Sequence, residues 1–268
     1  DVWFVGRLGN QALASLALVF PFQALMQMMA GGAIGGGITS AIARAKGSKN
    51  SRSAQIIAFN GLLIGAFVSL IYTVILGFFP YEVFGLLSDS KEVIDGAIKY
   101  AEIGFGGAIL TWLFFVLSSI IRGFGDTYAP AKAIIIAGFF QIILSGLFTS
   151  GFGGILDLGV AGPAAAMITC HAFAALFLIR KIIVSNSILR FHTCFIDWNS
   201  ISNILRVGGL GLINSITIAL NVVIITGFVS EFGVDALAGY GLGSRLELML
   251  VPIAFGIGAA LTASVGTN

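Results

Sequence analysis

Long apolar runs separated by short polar stretches dominate the chain. A membrane-spanning helix needs about 20 mostly apolar residues. Seven segments meet this requirement, namely 12–43, 53–79, 94–121, 131–152, 162–184, 205–228 and 236–266, and residues 1–6 resemble the end of a further helix. Transmembrane strands would alternate lipid-facing and lumen-facing residues, whereas runs such as AIIIAGFFQIIL do not alternate. The pattern predicts an all-α membrane protein, a polytopic helix bundle.

The composition favours the same class. Hydrophobic residues make up 57% of the chain, charged residues only 10%, and the mean hydropathy is +1.02. Soluble domains carry about a quarter charged residues, so we expect the lipid bilayer as a partner. The net charge of +2 is too small to indicate a nucleic-acid partner. The chain starts at Asp1 without a methionine and stops at Asn268 inside an apolar pattern, so we expect a fragment.

The loops between the apolar segments differ in charge. Lys and Arg are enriched in the cytoplasmic loops of membrane proteins. One set of loops holds most of the basic residues: Arg44, Lys46, Lys49, Arg52, Arg122, Lys132, Arg180, Lys181, Arg190 and Arg206. The opposite set holds only Arg7, Lys91 and Lys99. The bias predicts that segment 12–43 runs inward and that the basic loops face the cytoplasm.

The polar stretch RGFGDTYAP, residues 122–130, lies between two apolar segments. Its glycines could indicate a nucleotide loop, but a dinucleotide fingerprint follows a strand and belongs to a βαβ unit, and no strand precedes these residues. Gly123 and Gly125 suit a turn, Asp126 or Thr127 can cap the next helix, and Pro130 suits its first turn. We therefore predict a tight cytoplasmic turn.

An internal repeat is visible at an offset of 224 positions, from Phe4 to Phe228. The stretch FVGRLGNQALAS (4–15) aligns without gaps to FVSEFGVDALAG (228–239); the alternative is a chance match of apolar helices. Six membrane crossings separate the copies, so both point the same way. This predicts two parallel-related six-helix bundles: a first bundle over 1–184, a cytoplasmic linker over 185–200, and the truncated start of a second bundle over 201–268.

Several motifs together resemble the multidrug and toxic compound extrusion (MATE) family of transporters. They are DVWFVGRLGNQALAS, GGAIGGGITSAIARAKGSKN, RGFGDTYAP, LDLGVAGPAAAMI and FGVDALAGYGLGSRLE. The resemblance implies a monomeric twelve-helix antiporter of the plasma (inner) membrane, not an enzyme, that exports small hydrophobic or cationic compounds. H⁺ or Na⁺ would be the coupling ion, with no bound cofactor. A lipid-linked oligosaccharide flippase of similar architecture, or an uncoupled channel or scaffold, remains an alternative.

The resemblance also suggests a cation-coupling residue, Asp1, which matches an aspartate of the family's first helix. An ionisable residue inside a bilayer is costly and often functional; the alternative is that Asp1 merely ends the helix at the interface. Family members often carry Asn-x-x-x-Asp in the fifth helix, where this chain has Gln141 and Ser145. Because the seventh helix also lacks an acid, we expect coupling to H⁺ rather than Na⁺.

Other polar residues in apolar segments are candidates for a substrate cavity: Gln23, Gln27, Asn60, Gln141, Arg245 and Glu247. Gln23 and Gln27 lie one helical turn apart, whereas Arg245 and Glu247 point to different faces of the last helix. Each could instead form an interhelical hydrogen bond or ion pair. Cys170 and His171 lie too far from His192 and Cys194 to share a zinc ion, so no metal site is expected.

The glycine-rich part of the first full segment has two interpretations. Gly31 and Gly35, like Gly32 and Gly36, are four positions apart. This spacing suits close packing between helices. The alternative is a bending point that serves a conformational cycle.

Overall fold

The computed structural model describes residues 2–151, 157–184, 195–248 and 250, together with 257, 258, 261, 262, 264 and 265. The side chains at 245, 247 and 248 are outside this description. The helices are α1 (Val2–Gly6), α2 (Asn10–Gln27), α3 (Ile34–Gly47), α4 (Ser51–Tyr72), α5 (Pro80–Phe84), α6 (Lys91–Gly104), α7 (Ala108–Gly123), α8 (Tyr128–Ser150), α9 (Gly162–Val184), α10 (Trp198–Ser230) and α11 (Val234–Leu248). These ranges contain no strand, and the all-α prediction is confirmed.

Five continuous helical segments are long and apolar enough to cross a membrane: Asn10–Gly47, Ser51–Phe78, Tyr128–Ser150, Gly159–Val184 and Trp198–Ser230. Two of them contain one turn of π-helix, at Met28–Ala33 and at Thr73–Phe78. The seventh predicted segment starts as α11, and most of its second half lies outside the described residues. The polytopic architecture is therefore as predicted.

The third predicted segment, 94–121, differs from the expectation of one continuous helix. It consists of α6 and α7, which meet at an angle of 51°. The break contains Phe105, Gly106 and Gly107, and glycine is a poor helix former. At the break, the N–H of Gly106 binds the carbonyl oxygen of Ala101 at 3.3 Å, outside the regular α-helical pattern. The bent pair accounts for a sixth span.

Helix α7 is the most enclosed element of the first six spans. It contacts α3, α4 and α9, and its Trp112 and Phe114 side chains are almost fully buried. By contrast, α8 leaves large apolar side chains exposed, such as Ile135 and Phe139. An exposed apolar face of this size marks a surface that contacts lipid or protein, so we expect α8 to face the acyl chains.

The glycines of α3 and of the preceding π-helical turn allow close packing against α7. A Cβ atom on Gly31 would lie 2.9 Å from the ring of Phe115, and one on Gly35 would lie 2.5 Å from Ser119 Oγ. The packing interpretation of these two glycines is confirmed. Gly31 and Gly32 also fall within the π-helical turn at Met28–Ala33. Such turns bend helices and occur often at functional sites, so the bending interpretation remains open.

The internal repeat is reproduced in the backbone hydrogen bonds of its two turns. In the first copy, the Gly9 N–H donates to the Gly6 carbonyl oxygen at 3.3 Å. The Leu13 N–H donates to the Gly9 carbonyl oxygen, also at 3.3 Å. In the second copy, the Gly233 N–H donates to the Ser230 carbonyl oxygen at 3.1 Å. The Leu237 N–H donates to the Gly233 carbonyl oxygen, also at 3.1 Å. Gly9 and Gly233 also share a left-handed backbone, with φ of 111° and 99°. Because a side chain disfavours this conformation, the glycine recurs for a physical reason.

Candidate functional site

Two of the candidate glutamines meet the same residue inside the first bundle. Nε2 of Gln23 lies 3.2 Å from Sδ of Met167, and Nε2 of Gln27 lies 3.8 Å from the same sulfur. Both glutamines are half-buried on α2, whereas Met167 on α9 is buried. A thioether is only a weak acceptor, so these amides remain able to exchange this contact for a better hydrogen-bonding partner.

Helix α9 also carries a buried histidine close to Met167 in the sequence. His171 follows Met167 by one helical turn, and its Nδ1 lies 3.0 Å from Oγ1 of Thr111 on α7. The imidazole ring is buried and stacks on Phe114 with a centroid distance of 5.1 Å and an interplanar angle of 10°. In the sequence, His171 was a candidate only for a zinc ligand. Its hydrogen bond to Thr111 joins residues 60 positions apart, and no local pattern indicates that pairing.

The polar line Gln23–Gln27–Met167–His171–Thr111 is thus built from three helices, α2, α9 and α7. We call it the interior polar line. Among the residues that the structure describes, no group of three or more His, Cys, Asp and Glu side chains could hold a metal ion. His192 and Cys194 lie outside those residues. What the line offers is therefore amide, hydroxyl and imidazole groups for hydrogen bonding.

Asn60 occupies a different kind of site. Its side chain is fully buried on α4, where Nδ2 donates to the carbonyl oxygens of Ile56 at 2.8 Å and Phe195 at 3.2 Å. Its Oδ1 accepts a hydrogen bond from the N–H of Asp197 at 3.1 Å. The amide therefore ties α4 to the segment that precedes α10. This hydrogen-bonding role is the alternative to a cavity position that the sequence left open.

The residue that Asn60 holds is itself the N-cap of α10. Oδ2 of Asp197 accepts hydrogen bonds from the N–H of Ser200 at 2.9 Å and from its hydroxyl at 2.5 Å. These bonds hold the pKa of the Asp197 carboxyl below its ordinary value, and the bond from the Ser200 hydroxyl contributes most. Asn60 and Asp197 together fix where α10 begins relative to α4.

The remaining candidates lie elsewhere or outside the description. Gln141 is half-buried on α8, and Ser145 is fully buried one turn further on. Asp1 lies outside the described residues, as do the side chains of Arg245 and Glu247, although α11 includes both positions. The roles of these residues stay predictions.

The RGFGDTYAP stretch forms the predicted turn. Gly125 has a left-handed φ of 95°, and its N–H binds the Arg122 carbonyl oxygen at 2.9 Å. Oδ1 of Asp126 accepts a hydrogen bond from the N–H of Ala129 at 3.0 Å, which caps α8, and Oδ2 lies 3.2 Å from Nζ of Lys181. The Ala129 N–H holds the pKa of this carboxyl below its ordinary value, and together with the Lys181 ammonium it outweighs the opposing effect of burial.

A cavity of about 450 Å³ opens at the opposite end of the bundle. It lies between the segment 85–90, which precedes α6, and the turn from α10 to α11. Asp89 and Glu231 contribute its charged groups, and Ser88, Ser90 and Ser230 contribute hydroxyls. By the loop-charge prediction this is the external end, so the cavity would present negative charge to the outside.

Together these features define the class of protein. The described helices, their length and their apolar surfaces are those of a polytopic α-helical membrane protein. The model of the MatE family matches residues 1–147. Because this is more than half of the chain, the protein belongs to the MatE family.

Two relatives illustrate the range of substrates among similar proteins. The FAD transporter of Shewanella oneidensis is 24% identical over 274 residues, a match that covers 100% of this chain and 60% of that protein. The multidrug export protein MepA of Staphylococcus aureus is 23% identical over 264 residues and covers 96% of this chain and 57% of MepA. The chain thus spans about three-fifths of the length of the relatives it matches.

Solved structures share the fold over the whole chain. An inward-facing multidrug resistance MATE transporter of the MOP superfamily gives a TM-score of 0.84 at 22% identity, covering 99% of this chain and 64% of its own. The MATE multidrug transporter DinF-BH in complex with R6G gives 0.85 at 22% identity, covering 100% of this chain and 61% of its own. These likenesses establish the helical-bundle fold, and the division into two bundles stays a prediction.

Proposed function

We propose that the whole protein is a secondary active transporter that exports small hydrophobic or cationic compounds across the plasma membrane in exchange for an inward-moving cation. Membership of the MatE family over residues 1–147 carries this proposal. The interior polar line supports it by offering hydrogen-bonding groups, and the outer cavity supports it because Asp89 and Glu231 suit a compound with a positive charge.

The proposed coupling ion is H⁺, and the proposed coupling residue is Asp1. A Na⁺ site needs several oxygen ligands, whereas Gln141 and Ser145 replace the amide and acid that family members often carry. A lone carboxyl group in a membrane can act in a proton relay. Each inward H⁺ gains about 2.3 kcal/mol per 100 mV of membrane potential, which is sufficient to drive export against a modest gradient.

The test is export by the full-length protein in proteoliposomes. We expect efflux of a lipophilic cationic dye under an imposed pH gradient without Na⁺, and loss of that efflux in Asp1→Asn. The matched control is Asp157→Asn, which replaces a carboxylate beyond the end of α8 and should transport normally. Efflux that requires Na⁺, or that Asp1→Asn leaves unchanged, contradicts the H⁺ assignment. No gradient-driven efflux at all contradicts the transporter proposal.

A second substrate class is favoured by one relative, the FAD transporter. A dinucleotide is anionic, so its transport would require basic groups along the pathway. The same proteoliposomes loaded with FAD distinguish the two classes, because we expect the cationic dye to be exported and FAD to be retained. Export of FAD in preference to the dye would replace the first proposal with the second.

A further inference from the structure

A second cavity lies between α3 and α10, at the end of the bundle that carries the basic loops. Its volume is about 470 Å³, and it is lined by Arg44 of α3 and by Asn203, Arg206, Val207 and Leu210 of α10. It is separate from the interior polar line and from the outer cavity. The name basic pocket is used for it below.

The basic pocket results from a close crossing of α3 and α10. A Cβ atom on Gly37 would lie 2.5 Å from the Ile204 carbonyl oxygen and 3.1 Å from the Gly208 nitrogen. The two backbones therefore touch at this point. Arg44 follows Gly37 by seven residues, or two helical turns, and so lies on the same face of α3. The Arg44 side chain lines the cavity together with the α10 residues.

The α10 wall of the basic pocket is a continuous stripe. Asn203, Val207 and Leu210 are spaced four and three residues apart, the spacing of one helix face, and Arg206 adjoins it. The amide lies nearest the start of the helix, and the two apolar side chains lie deeper. Leu210 is 73% exposed. The wall therefore changes from polar to apolar with depth, as a bilayer does.

Among the residues that the structure describes, neither arginine has a carboxylate partner. The guanidinium of Arg44 donates to the Ser40 hydroxyl, which holds it in place. Within the described part of the chain, no Asp or Glu oxygen lies within 4.0 Å of either Arg44 or Arg206. A guanidinium offers planar paired donors that match a phosphate group. Two such groups with no acid beside them favour an anionic ligand.

The depth of the basic pocket matches the headgroup region of a membrane. Arg44 lies within one turn of the end of α3, and Trp198, at the start of α10, is 77% exposed. Tryptophan is enriched at membrane interfaces. Arg206 lies about 12 Å along the helix from Trp198 at 1.5 Å per residue, and arginine side chains near helix ends extend toward the interface.

From this arrangement we propose that the basic pocket binds an anionic phospholipid, whose phosphate contacts Arg44 and Arg206 and whose acyl chain lies along Val207 and Leu210. Free phosphate would use the arginines but not the apolar wall. Because the pocket is shared by α3 and α10, the bound lipid bridges the two predicted bundles and stabilises their contact.

Native mass spectrometry of the full-length protein with added cardiolipin tests the proposal. We expect Arg44→Gln with Arg206→Gln to lower the retained cardiolipin at least about tenfold, since charge-assisted contacts to phosphate are strong. The control replaces Arg52 and Arg180, two exposed arginines outside the basic pocket, by Gln and should retain the lipid. Equal losses in both double variants, or no loss in the first, overturn the proposal.

Three further measurements separate the parts of the proposed site. Arg44→Lys with Arg206→Lys keeps the charge and checks folding; it should retain an intermediate amount of cardiolipin. Leu210→Gln should lower retention although both arginines remain. Cardiolipin should raise the Tm of the wild type, whereas inorganic phosphate should not. If phosphate raises the Tm as much as cardiolipin does, or if Leu210→Gln changes nothing, the lipid assignment is wrong.

Discussion

Gly241 of α11 lies directly against Ala17 of α2, and the two residues are counterparts in the internal repeat. A Cβ atom on Gly241 would overlap that of Ala17. Nearer the starts of the same helices, Nδ2 of Asn10 donates to Oδ1 of Asp235 at 2.6 Å. In both helices the residue that forms the hydrogen bond precedes the residue that forms the Gly241–Ala17 contact, so α2 and α11 run parallel. Equivalent positions of a two-fold pair meet at its axis, which places the axis relating the two copies between α2 and α11.

This relationship predicts a size restriction at the axis. Gly241→Ala should destabilise the contact, because overpacking typically costs about 1–3 kcal/mol, and should lower the Tm in detergent. Gly243→Ala is the matched control, since a Cβ atom there has no neighbour within 4 Å. Combining Gly241→Ala with Ala17→Gly exchanges the two counterparts and should restore most of the lost stability. Failure of the exchange to restore the Tm would argue against direct packing at the axis.

A second prediction concerns the connection that Asn60 makes to the start of α10. Asn60→Ala removes the amide that binds the Asp197 N–H and the Phe195 carbonyl oxygen, and the net loss of a hydrogen bond costs about 0.5–1.5 kcal/mol. We expect a lower Tm and faster hydrogen exchange at the Asp197 amide. In Ser69→Ala the lost hydroxyl bonds only within its own helix, to the Ala66 carbonyl oxygen at 2.8 Å, and exchange at Asp197 should not change. Similar exchange in both variants would contradict the prediction.

A third prediction concerns the pH dependence of the turn at Asp126. The pKa of this carboxyl is lowered in the folded protein. Its stabilising contribution is therefore present above the unfolded pKa, about 3.9, and is lost as the pH falls through the folded pKa. Because the ion pair with Lys181 is exposed, the contribution of the charge is expected to be about 1 kcal/mol or less.

The measurement is Tm as a function of pH. Wild type should lose stability below about pH 4, whereas Asp126→Asn, which keeps a side-chain acceptor for the Ala129 N–H, should lose less over the same range. Asp157→Asn serves as control, because Oδ1 of Asp157 also accepts a backbone hydrogen bond, from Gly159 at 3.3 Å. An unchanged acid transition in Asp126→Asn, or the same change in Asp157→Asn, would show that another group dominates.

Sequence reasoning succeeded where structure depends on neighbouring residues. Apolar length predicted the spans, and the glycines and Asp126 predicted the turn, because turn and cap chemistry is local. It failed at the break between α6 and α7, since Phe105, Gly106 and Gly107 carry no charge that would interrupt the apolar run. The partners of Asn60 and of Gln23 lie 135 and 144 positions away, and hydropathy does not encode such pairings. The candidates in the interior were therefore identifiable by polarity, but their separate roles were not.

A last prediction separates these roles within the candidate site. Gln23 and Gln27 contact the weak acceptor Sδ of Met167, so replacing both by Leu removes little hydrogen-bond energy from the folded protein. If they bind substrate, the double variant should raise KM for dye export about tenfold or more, as loss of roughly 1.4 kcal/mol of binding does, while the Tm changes little.

The controls distinguish binding from packing. Met167→Leu removes the sulfur but nearly conserves volume, a change that usually costs under about 1.5 kcal/mol, and should leave KM unchanged. Asn60→Ala should show the opposite combination, a lower Tm with an unchanged KM, because its amide binds backbone of the same chain. If the Gln23 and Gln27 variant instead loses stability with an unchanged KM, both glutamines serve packing, and the substrate pathway lies on another face of the bundle.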